Sequence, residues 1–94
     1  GIAAIAGDDE GVWLVETERV DAPDSGAGDV FAALLICHLV GGTDFPTAVA
    51  RAVASVRDVL VLTERLKKTD LALVEGFDFL RRPKTNVAPT RIDR

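Results

Sequence analysis

The residues of this chain whose types and spacing could do chemistry are Gly26, Ala27, Gly28 and Asp29, at the head of a long apolar run. Two glycines flanking a small residue let successive backbone N–H groups converge with no side chain in the way. If a helix starts there, the unpaired N–H groups of its first turn and its dipole form a site for an anion. A phosphoryl group in transfer spreads negative charge over its outer oxygens, and fixed donors of that kind stabilise it. A carboxylate one residue further on can accept the proton of an attacking hydroxyl. Asp29 has that place. Taken alone, the pattern reads first as a glycine-rich turn with an ordinary acid in the first turn of a helix.

The elements around the motif must position it. The short apolar run at residues 2–6 ends at Gly7-Asp8-Asp9, and a second run covers residues 12–15, which predicts a hairpin at a sheet edge. Residues 19–22 read as a third strand or a loop, and Pro23 stops regular structure before residues 24–29 open a helix. That helix, over about 28–40, is apolar nearly all round and is expected to be buried on several sides. Gly41-Gly42 ends it. A second helix takes Thr43 or Asp44 as N-cap and Pro46 in its first turn. Its apolar stripe is Phe45, Val49, Ala52, Val53, Val56, Val59 and Leu60, with Arg51, Arg57 and Asp58 on the other side. A third helix is predicted from a Thr69 or Asp70 cap, with Leu71, Val74, Phe77 and Leu80 on one stripe, and Pro83 after its end. Residues 85–94 form an ordered or a frayed tail. The whole chain, residues 1–94, reads as part of one domain of a layered α/β fold.

Composition narrows the class. Hydrophobic residues make up 48% and charged residues 28%, which is globular rather than disordered. No run approaches the ~20 apolar residues of a membrane helix. Eight acids stand against one base through Asp29, and seven against ten afterwards, within a net charge of −4. Neither part holds the basic stripe with interleaved aromatics that nucleic acids favour, and Arg81, Arg82, Lys84, Arg91 and Arg94 read as a solvated face. The single Cys37 reads as a packing residue and fits a reducing, cytoplasmic compartment. No signal peptide is visible, and because the chain opens on Gly1 its true start is expected to lie upstream.

In this order, the Gly-Ala-Gly-Asp core, the apolar helix, the glycine turn and the Ala-rich helix resemble the C-terminal signature of the ribokinase-like kinases. Within that superfamily the flanks are most similar to the pyridoxal kinases: Trp13-Leu14-Val15-Glu16-Thr17 and Val20-Asp21-Ala22 ahead of the motif, Phe31 to His38, Ala52 to Thr63, Leu71 to Val74, and Arg82-Pro83 through Val87-Ala88 to Ile92. The resemblance implies the C-terminal part of a three-layer α/β sandwich, edge strands then three helices, around a mostly parallel sheet. It implies ATP-dependent phosphorylation of pyridoxal, pyridoxine or pyridoxamine at the 5′-hydroxyl, in a full-length homodimer. Gly26, Ala27 and Gly28 would form the anion hole, Asp29 would bind and deprotonate the substrate hydroxyl, and Val20 and Leu60 would line the adenine and ribose side of the ATP pocket. The family uses Mg²⁺ with ATP, often with a monovalent cation such as K⁺. No carboxylate cluster here reads as a metal cage, so no ligand is assigned.

What departs from the family is an absence. Its substrate-binding residues and Mg²⁺-facing acids come mostly from an N-terminal two-thirds that this chain lacks. Without those strands Phe31, Leu34, Leu35 and Leu39 are expected to face water. His38 reads as a packed or helix-end histidine, and Trp13 as an edge-strand packing residue. The alternatives are a sugar or hydroxymethylpyrimidine kinase of the same superfamily, or a non-catalytic interaction module.

Overall fold

The computed structural model describes residues 2–8, 11–17 and 26–92 of the chain. Strands β1 (Ile2–Asp8) and β2 (Gly11–Thr17) form the hairpin that the two apolar runs predict. They pair antiparallel from Ile2↔Thr17 to Asp8↔Gly11, so two residues link them, the shortest common hairpin connection. Residues 19–22, read as a third strand or a loop, lie outside the described residues. The tail is ordered enough to supply β3 (Thr90–Arg91), which pairs antiparallel with β2, Trp13 facing Arg91. The sheet order β1-β2-β3 makes β2 central, so Trp13 is not on an edge strand. The Arg91 guanidinium lies 5.7 Å from its ring centroid, within cation–π range. Every pairing among the described strands is antiparallel, as expected of edge strands, the mostly parallel sheet being the expectation for the whole layered fold. A parallel pair needs a crossover of a dozen or more residues, and the hairpin has none.

Helix α2 (Phe45–Arg65) organises the rest. Asp44 is its N-cap, its carboxylate accepting from the Thr47 N–H at 3.2 Å, with Pro46 in the first turn. Apart from the half-buried Phe45, the apolar stripe read from the sequence is buried, and so are Ala48, Ala50, Ala54 and Ser55. The helix is therefore enclosed on most sides rather than one-faced, because the hairpin, α1 (Ala27–Val40) and α3 (Phe77–Arg81) all pack against it. Val15 of β2 meets Val49, Ala50 and Val53, with Phe31, Leu35, Phe45 and Val87 closing the cluster.

Two further expectations are corrected. Helix α1 is apolar all round as predicted, yet none of its residues is buried. Phe31 and Leu35 pack on the core, whereas Ile36 is 61% and Val40 84% exposed and Leu39 and Cys37 are exposed too. One face meets α2, and the other is left uncovered among the described residues. The third helix is only five residues long and is capped by Gly76, not by Thr69 or Asp70. Before it, the Ala72 N–H donates to the Thr63 hydroxyl at 3.0 Å, and that hydroxyl donates to the Val59 carbonyl at 2.7 Å. This bond ties the chain to α2 and diverts it from a helical path. Gly76 then crosses so close to α2 that a Cβ would lie 3.2 Å from Val59 Cγ2 and 2.9 Å from the Ala72 carbonyl oxygen. Val74, placed on the predicted stripe, is 88% exposed. Among the described residues no helix is long and apolar enough to cross a membrane.

Candidate active site

The motif stands at the start of α1. Gly26 is its N-cap, with φ 86° and ψ −6°, a left-handed conformation that costs a residue with a Cβ about 1–2 kcal/mol. The Gly26 carbonyl accepts the first helical bond, from the Val30 N–H at 3.1 Å. Having no side chain, Gly26 supplies no cap bond to the first turn. The N–H groups of Ala27, Gly28 and Asp29 therefore have no partner within the helix. A Cβ built on Gly28 meets nothing within 4 Å. Gly28 is helical, so its smallness leaves open space beside the donors rather than permitting an unusual backbone.

Asp29 is the third residue of α1 and is exposed. No described hydrogen bond or ion pair ties up its carboxylate. The arrangement suits a phosphoryl group: donors aimed along the helix axis, open space at Gly28, and a free carboxylate beside them. For a divalent cation the fit is incomplete. No three His, Cys, Asp or Glu converge among the described residues, so Asp29 is the one carboxylate this turn offers. Of the other residues singled out, Leu60 lies in the buried stripe of α2, 4% exposed. Val20 and the loop residues before Gly26 lie outside the described residues.

The residue that the sequence reading misplaced is Asp58. It is 6% exposed, not on the polar side of α2. Its carboxylate accepts from the N–H groups of Lys84 and Thr85 at 2.6 and 2.9 Å and from the Thr85 hydroxyl. Arg57 donates to Thr85 Oγ1 at 2.9 Å and lies 3.7 Å from Asp58. A buried carboxylate thus clamps the closing segment onto α2. The signal was present. The helical neighbours of Asp58 at three and four residues are Ala54, Ser55, Val61 and Leu62, none charged, which marks an acid on an apolar face.

No family model matches the chain. Curated relatives do: a pyridoxal kinase PdxY of Leifsonia xyli is 37% identical over 97% of this chain and 32% of its own length. One from Corynebacterium diphtheriae is 34% identical over 88% of this chain and 29% of its own. Among solved structures, the pyridoxal kinase of Entamoeba histolytica with PLP superposes with a TM-score of 0.74 at 16% identity, over 89% of this chain and 30% of that one. The chain spans about a third of the length of the curated relatives it matches. Sequence and fold together make it a homologue of the pyridoxal kinases, with their ribokinase-like fold over the part it spans.

Proposed function

We propose that the chain is the C-terminal part of a kinase that transfers the γ-phosphoryl group of ATP to the 5′-hydroxyl of pyridoxal, pyridoxine or pyridoxamine. The observation that carries this is the start of α1: a left-handed Gly26, N–H groups over the next three residues with no partner within the helix, and an exposed Asp29 in the same turn. In the transfer, the 5′-oxygen bonds to phosphorus as the bond to the β,γ-bridging oxygen breaks. ADP leaves, and the hydroxyl proton passes to the Asp29 carboxylate. The amides at Gly26 to Gly28 act as the anion hole, stabilising charge on the phosphoryl oxygens. Mg²⁺ bound with ATP would offset phosphate charge, held chiefly by the nucleotide and by residues beyond this chain. Val20 and Leu60 belong to the adenine and ribose side in this reading. Leu60, being buried, would act as packing behind that wall. A homodimer and a cytoplasmic setting complete the proposal.

The test is pyridoxal phosphorylation by the full-length protein and by its Asp29→Asn variant. The amide is nearly isosteric and Asp29 is exposed, so the fold should persist. Turnover should fall at least ~10²-fold, the lower end for general acid–base catalysis. Near-normal turnover in the variant removes Asp29 from the mechanism. Phosphorylation of a sugar or a hydroxymethylpyrimidine in preference to pyridoxal moves the substrate assignment elsewhere in the superfamily.

A further inference from the structure

Arg51 of α2 and Arg81, Arg82 and Lys84 of the closing segment meet around one cavity of about 580 Å³, with His38 and Asn86 also in its wall. That volume falls among small-molecule sites. Among the described residues the wall carries the four Arg and Lys side chains and no Asp or Glu, in a chain whose net charge is −4. A concave surface lined by one sign of charge focuses its field on whatever enters.

The cluster is held rather than loose. Asp58 binds the N–H groups of Lys84 and Thr85, and Arg57 binds the Thr85 hydroxyl, so the backbone carrying the basic residues is fixed against α2.

We propose that this cavity binds a small organic phosphate. Guanidinium groups present planar, paired donors that match phosphate oxygens, and three arginines with a lysine balance a multiply charged headgroup. The volume exceeds what a bare phosphate fills and leaves room for the organic part. The site is separate from the motif: His38 lies nine residues beyond Asp29 on α1, about 14 Å along the axis. It does not rest on the kinase reading.

Glycerol 3-phosphate is titrated by calorimetry at low salt into the full-length protein, its Arg81→Gln/Arg82→Gln variant, and Arg51→Gln. All three arginines are exposed, so these variants should melt as wild type does. Saturable binding is expected in the wild type, weakened at least ~10-fold in the double variant and also weakened by Arg51→Gln, since charge-assisted bonds to phosphate are the strong ones. Asp29→Asn should bind as the wild type does. Hydrogen exchange on binding should slow at residues 81–87. An unsaturable wild type, an unchanged affinity in both arginine variants, or loss of binding in Asp29→Asn overturns the proposal. Inorganic phosphate binding as tightly as the ester overturns the organic ligand.

Discussion

Helices α1 and α2 are neighbours, both rich in apolar residues, and they do different work. Helix α2 buries twelve residues, carries the N-cap bond of Asp44, and anchors the closing segment through Asp58. Helix α1 buries none, yet its first turn holds the motif suited to phosphoryl chemistry. On the proposed reading, stability and chemistry are thus placed on separate elements. A phosphate can reach donors only where side chains and packing leave them open, so the turn that binds must stay bare. The packing that holds the turn in place is supplied by the helix beside it.

The largest expected effects should fall on opposite sides of this comparison. Asp29→Asn should remove activity and leave the melting temperature alone. Asp58→Ala should do the reverse. It leaves the N–H groups of Lys84 and Thr85 without their acceptor, a loss of roughly 3 kcal/mol when the lost partner is charged. Chemical denaturation should show the loss, with turnover per folded molecule kept. If Asp58→Ala melts as wild type, the clamp is not what holds the tail.

Gly28 offers a sharper cut within the motif. Its Cβ position is open, so Gly28→Ala should hold or raise stability, by up to ~1 kcal/mol on helix propensity. It should nevertheless lower kcat/KM for ATP, because the methyl stands where phosphate approaches. Gly28→Val should lower it further. Retained activity in both variants would make residues 26–28 a structural turn. The strain is at Gly26 instead, where φ is positive.

A third break concerns the uncovered face of α1. In the 94-residue chain alone, Ile36→Glu should reduce self-association in sedimentation velocity without lowering the melting temperature, since Ile36 is largely exposed. An unchanged sedimentation profile would show that this face does not drive association. The smallest effect is in acid. Hydrogen bonding from the Thr47 side chain, then from its N–H, holds the Asp44 carboxyl below its ordinary value. Folding therefore favours the ionised form. The cap contributes fully above the unfolded carboxylate value and is lost as pH falls below about 4, through the lower folded one. In Asp44→Ala the stability of α2 should lose that part of its acid dependence, readable by circular dichroism.

Local backbone structure was legible in the sequence. Glycines spaced around Ala27 and a following acid marked the motif, Asp44 and Pro46 marked the start of α2, and Gly7 to Gly11 marked the hairpin. Each depends on the backbone preferences of a few adjacent residues, which the sequence carries directly. What the tertiary structure decided were relations between distant residues. Asp58 is buried because residues 84 and 85, twenty-six and twenty-seven positions on, bring it N–H donors. The predicted third helix gives way to a turn because the Thr63 hydroxyl takes the Ala72 N–H. Periodicity reports which face of an element is apolar, but not which neighbour arrives to cover it. For that reason α1 reads as a buried helix in sequence and stands half uncovered among the described residues.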